Sequence, residues 1–194
     1  MELSAKELQV IADTSFLRTK QEVTVKIREL LGETRKELLK EISRSGFNFP
    51  AGTDISTGKI SRGENYLQLP YQVLDFPKLF KKEDIFALRT MFWWGHFFSC
   101  TLHLQGHSLE TYRPSIIRNF EMLQNRGLYI CKNDTPWQYH YNPDNYVPVS
   151  REHLDVIQQC AFLKISKKIT LDQWKTVPGF SIDFFRNMLE VLST

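Results

Sequence analysis

The sequence predicts an α+β fold, with a largely antiparallel sheet of about five strands and helices from both ends packed on it. Three observations carry this. Two runs rich in aromatic and β-favouring residues flank Gly95, Ile85 to Trp94 and Phe97 to Gln105. Apolar residues recur instead at helical spacing up to residue 45 and again from residue 150. Between them, from 61 to 141, clusters of Gly, Pro, Asn and Asp punctuate short apolar runs. At 194 residues the chain fits one domain, with a helical N-terminal segment (1–45), a sheet region (61–141) and C-terminal helices (150–194).

Ser4 followed by Glu7 is a capping-box candidate, and Leu8, Ile11 and Ala12 follow at helical spacing. After a break near Asp13-Thr14, Val23, Ile27, Leu30, Leu31, Leu38 and Ile42 carry a second helix, with Gly32 a point where it could break. This segment is either an amphipathic helix packed on its own sheet or a dimerisation helix. Ser45 to Thr57 is a loop, and so is the polar, Gly-rich stretch from Gly58 to Tyr66, whose two glycines allow close backbone approach. A strand follows within Tyr66 to Phe76, bounded by Pro70 and Pro77, which suit strand ends.

The hairpin at Gly95 admits two registers. A two-residue Gly95-His96 turn sets Arg89 against Leu102 and buries a guanidinium on an apolar face. One extra residue reverses the phase and sorts hydrophobicity better. Phe86, Leu88, Phe92 and Trp94 then share a face with Phe98, Cys100, Leu102 and Leu104. Ala87, Arg89, Met91 and Trp93 share the other with Ser99, Thr101 and His103. The second strand alternates as a half-buried strand does. Beyond it, Pro114 suits the first turn of a helix that ends at Asn125-Arg126-Gly127. Leu128 to Cys131 and Trp137 to Tyr141 read as short strands. Ser150 caps a helix with Leu154, Ile157, Ala161 and Ile165 buried and Lys164, Lys167 and Lys168 on a solvated surface. Thr170 with Gln173 opens a short helix that Pro178-Gly179 breaks, and Ser181 caps a last one.

The string Ser61-Arg62-Gly63-Glu64-Asn65-Tyr66, with Leu69-Pro70-Tyr71, Val73-Leu74-Asp75 and Phe92-Trp93-Trp94-Gly95, resembles uncharacterised proteins of Bacteroidota bacteria over roughly the middle quarter of the chain. The resemblance implies a bacterial source and carries over no functional residues.

A net charge of +3, from 25 basic and 22 acidic side chains, is too balanced to point to nucleic acid or an anionic membrane. The last apolar stretch carries Asp183, Glu190 and only Arg186 as a basic group, unlike a DNA-reading helix. Cys100, Cys131 and Cys160 form no close pairs, which fits a reducing compartment, and the first residues lack the pattern of a secretion signal, so a cytoplasmic protein is expected. No stretch approaches the ~20 apolar residues of a membrane span. No phosphate loop is present, and His96, His103, His107 and Cys100 lack metal-ligand geometry, so no metal or cofactor is expected.

What remains is a candidate ligand surface of Arg62, Glu64, Tyr66, Arg89, Trp93 and His103. Arginines offer planar donor forks to anions, and an exposed tryptophan could anchor a ligand or partner. The competing structural reading has Glu64 paired with an arginine and the aromatics in the core. The leading expectation is a non-catalytic binding or interaction domain for a protein partner or a small anion, with a homodimer an option. The alternative is a small hydrolase or transferase with Glu64 and His103 as acid–base groups.

Overall fold

The structure is a computed structural model that describes residues 2–193. Helix α1 (Ala5–Ala12) carries the expected capping box: the Ser4 N–H donates to the Glu7 carboxylate at 2.7 Å and the Glu7 N–H to Ser4 Oγ at 3.3 Å. Asp13 interrupts the helix and caps α2 (Thr14–Ser45), accepting from the Ser15 and Phe16 N–H groups. The 32 residues of α2 run through Gly32 without a break, because Ile27, Leu30, Leu31, Thr34, Leu38 and Ile42 form one continuous buried stripe across it.

Four strands follow in sequence, β1 (Lys59–Tyr66), β2 (Leu69–Phe80), β3 (Ile85–Trp93) and β4 (Phe97–Gln105). Helix α3 (His107–Arg118) then leads to β5 (Tyr129–Cys131) and β6 (Tyr146–Pro148), and α4 (Leu154–Gln159) to β7 (Phe162–Ile169) and α5 (Val177–Leu192). The strands make one antiparallel sheet in the order β1-β2-β3-β4-β7-β5-β6. The α+β class is as expected, with seven strands in place of about five.

Three of the seven strands come from stretches read otherwise, and one expected strand is absent. Gly58 to Tyr66 is not a loop: from Lys59 it is an edge strand, where exposed charged side chains are tolerated and discourage further pairing. Gly63 has its backbone against the Tyr71 ring, where a Cβ would lie 2.5 Å from the nearest ring atom, the close approach expected of a glycine here. Phe162 to Ile169, expected within a helix, is β7 and fills the sheet between β4 and β5. The sheet therefore extends past both limits of the 61–141 span, and the 150–194 segment is not all helical. Trp137 to Tyr141 forms no strand; Tyr146–Pro148 pairs with β5 instead.

Other boundaries shift as well. Pro77 lies within β2 at the irregularity between Asp75 and Lys78, where a missing N–H costs no ladder bond. Pro114 is inside α3, not in its first turn. Pro178 is within the first turn of α5, where its missing N–H is tolerated, and Ser181 is a buried residue of that helix instead of its cap.

The register at Gly95 is the one with the extra residue: Trp93 pairs with Phe97, Arg89 with Thr101 and Ala87 with His103. Gly95 makes the turn possible with φ 72°. The apolar face, with Phe86, Leu88, Phe92, Phe98, Leu102 and Leu104, meets Leu31, Leu109, Phe184, Phe185 and Met188 of α2, α3 and α5 in the main core. The other face carries Asp75, Arg89, Ser99, Thr101, His103, Lys164 and Ser166, and residues 132–145, the connection between β5 and β6, lie across it. With both faces covered, β4 is buried from Phe97 to Leu104 and is not half-buried.

Candidate functional site

The six residues singled out from the sequence separate onto the two faces. Arg62 lies opposite Gln72, whose side chain donates to the Thr24 carbonyl of α2, so Arg62 is on the helix side and exposed. Glu64 turns the same way and holds Lys20 of α2 at 2.8 Å; a lysine, not an arginine, is its partner. That hydrogen bond holds the Glu64 carboxyl below its ordinary range. Tyr66, Arg89, Trp93 and His103 lie on the other side, beneath or beside residues 132–145. Arg62 and Glu64 therefore do not join the other four in one site.

Beneath the covering segment the polar groups are matched closely. Arg89 Nε donates to Asp75 Oδ1 at 2.7 Å and Nη2 to Oδ2 at 2.9 Å, a two-point fork, and Nη1 donates to the Tyr139 hydroxyl. Burial alone would pull the guanidinium down, but the Asp75 carboxylate holds it above its ordinary value. Lys164 is 1% exposed, far from the solvated role expected of it. Its ammonium donates to the Pro136 carbonyl at 2.7 Å and the Gln138 carbonyl at 2.6 Å, and stands 4.4 Å from the centre of the Tyr139 ring. Burial still pushes its pKa down to about 7. The Tyr66 hydroxyl accepts from the Tyr139 N–H at 2.7 Å and the His140 N–H at 3.1 Å, fixing the segment from the β1–β2 side. Ser166, on β7, bonds Thr101 at 2.7 Å and Tyr141 at 2.5 Å.

His103 sits at the end of this layer with its Nε2 unpartnered and its ring edge-on to Trp137. Burial, then the positive charges of Lys164 and Arg89, hold it down at about 3, so it is neutral at physiological pH. A cavity of only about 10 Å³ remains between Asp75, Arg89, Thr101, His103, Tyr139 and Lys164. That is the lower limit for one water and excludes an organic substrate in this arrangement. This polar layer is thus a packed interior that fastens the covering segment.

An open cleft lies where that segment meets the hairpin turns. Its volume is about 450 Å³, and its walls include Leu67, Trp93, His96, Tyr141, Asn142 and Lys168, with His140 and Phe97. His96 stacks on Trp93 with ring centres 3.6 Å apart. Lys168 is exposed, and its ammonium stands 4.7 Å from the centre of the Tyr141 ring. Among the described residues the walls contain no carboxylate. Two buried ring nitrogens of wall residues, Trp93 Nε1 and His140 Nδ1, have no hydrogen-bond partner; the nearest carboxylate oxygen to His140 Nδ1, on Asp144, is 3.9 Å away. Of the expected ligand residues, Trp93 lines this cleft and Tyr66 packs against it from behind, 5.0 Å from Trp93 between ring centres. Sequence reasoning missed His96 as a wall residue, and with it His140, Tyr141, Asn142 and Lys168. They come from three separate stretches, and no local pattern joins them.

Among the described residues no cluster of three or more His, Cys, Asp or Glu side chains could hold a metal ion, and no helix is long and apolar enough to cross a membrane. No family model, curated protein or solved structure matches this chain.

Proposed function

We propose that the chain is a non-catalytic binding domain for a small anionic ligand, taken into the cleft between Trp93, His96, His140 and Lys168. The observation that supports this most directly is an aromatic wall that carries an exposed ammonium, with no carboxylate among the described residues that line it. Lys168 gives the point charge, and the rings of Trp93, Phe97 and Tyr141 offer apolar contact for a planar body. An aromatic carboxylate fits both requirements. Three free thiols, two of them buried, accord with a cytoplasmic setting for such a domain.

The rival assignment, Glu64 and His103 as an acid–base pair, draws no support from the geometry. The two groups belong to opposite faces of the sheet, and the cavity at His103 holds no substrate.

Isothermal titration with benzoate, and separately with inorganic phosphate, tests the proposal. Saturable binding of benzoate is expected, weakened about tenfold in Lys168→Ala, a loss near 1.4 kcal/mol. Because Lys168 is exposed, the variant should keep its fold. Equal affinity in the variant, or no saturable heat with either anion, would count against this cleft.

A further inference from the structure

All of residues 2–19 are exposed, and α1 buries none of its side chains. A helix of eight residues without tertiary contacts is marginal in water, so α1 calls for a covering surface. Leu3 and Leu8 hold the staple positions around the Ser4 cap, and Ile11 follows Leu8 on the same edge. These three and Leu17 are 51–62% exposed. Helix α2 first joins the body through the Lys20–Glu64 pair and the Thr24 carbonyl. Where it does so, Val23 and Ile27 line a groove of about 350 Å³ with Phe92, Trp94, Phe98 and Trp174, and Lys26 is the only charged residue of its lining among the described residues.

We propose that α1 of one copy docks in this groove of a second copy, in a twofold dimer whose α2 helices cross antiparallel at Phe16–Leu17. Charge and area select this occupant. The arm carries Glu7 in its first turn and the groove carries Lys26, so opposite charges meet on docking. Area agrees too. At roughly 100 Å² each, the four apolar side chains cover about 400 Å² and as much on the groove, or about 1,600 Å² for both arms, the size of a standard stable interface. A twofold contact of this kind is made twice and closes on itself, leaving no free arm.

Light scattering coupled to size exclusion, over a concentration series of the full chain, reads the outcome. The wild-type chain is expected at twice its own mass. Ile11→Asp and Trp174→Ala should each raise the dimer dissociation constant about tenfold or more. Both positions are exposed, so circular dichroism should show the fold retained. Lys26→Glu should weaken the dimer, and adding Glu7→Lys should restore it. A monomer at every concentration overturns the proposal, including one whose arm binds anionic lipid vesicles or another protein instead. So does a dimer that either Ile11→Asp or Trp174→Ala leaves intact.

Discussion

The two faces of the sheet are covered by different means. On one, three helices bring leucine, isoleucine and phenylalanine against an apolar surface, and the contact is held by area. On the other, a stretch without regular structure, residues 132–145, is held by individual polar fastenings: the Tyr139 hydroxyl on Arg89, two carbonyls on Lys164, Tyr141 on Ser166 and two N–H groups on Tyr66. An apolar face tolerates repacking, because hydrophobic contact has no direction. A polar face does not, because each buried group left without its partner costs its full desolvation. The segment can therefore keep an irregular path and present His140, Tyr141 and Asn142 to the cleft, provided that nearly every fastening is made.

Substitutions should separate the two modes. The largest effect is expected for Asp75→Asn, which leaves Arg89 buried against a neutral partner and should cost about 3–5 kcal/mol in urea unfolding. Leu102→Ala, on the apolar face, should cost about 2–5 kcal/mol. The comparison turns on rescue: Asp75→Leu combined with Arg89→Met should recover most of the loss, whereas no second change should recover Leu102→Ala as fully. If the double variant is no better than Asp75→Asn, the polar layer is held by shape and not by pairing.

Lys164 gives the next effect, through pH. Its folded pKa of about 7 lies below that of an unfolded lysine, so between these values the unfolded chain binds more protons and stability rises with pH. The slope approaches 1.4 kcal/mol per pH unit at most. His103, held down at about 3, gives a rise of the same sign between there and the ordinary histidine range, which means stability is lost as pH falls through that window. Unfolding followed from pH 4 to 10 should show both rises, and Lys164→Met should abolish the upper one alone. A flat profile above pH 7 in the wild-type chain would break this account of Lys164.

Tyr139→Phe should cost about 1–3 kcal/mol, by removing one bond to a charged group, and should speed amide exchange within 132–145 more than in α5. The smallest change belongs to the surface. Glu64→Ala removes an exposed pair with Lys20 and should cost no more than about 1 kcal/mol, screened further by salt.

The apolar face was legible in the sequence and the polar one largely was not. Phe98, Cys100, Leu102 and Leu104 alternate, and the cost of burying Arg89 against Leu102 chose the correct register. Capping at Ser4 and Thr170 and the break at Asp13 were equally local and equally readable. β7 was not, because Leu154, Ile157, Ala161 and Ile165 imitate helical spacing across a break at Cys160, and a lysine in Leu163-Lys164-Ile165-Ser166 reads as surface. What keeps Lys164 inside is a pair of carbonyls 28 and 26 residues earlier, which no window of sequence holds. The cleft was hidden for the same reason. Trp93 could be singled out as an aromatic in an unusual place, but His96, His140 and Lys168 meet it only after the sheet is ordered.

The central claim, that the cleft takes an anion, is tested most directly by nuclear magnetic resonance of the histidine ring nitrogens during a benzoate titration. The account predicts saturable shifts at His96 and His140, little change at His103 behind its packed layer, and curves that move to about tenfold higher benzoate in Lys168→Ala. Shifts that stay linear in benzoate, or saturable shifts at His103 with none at His96 and His140, would contradict it.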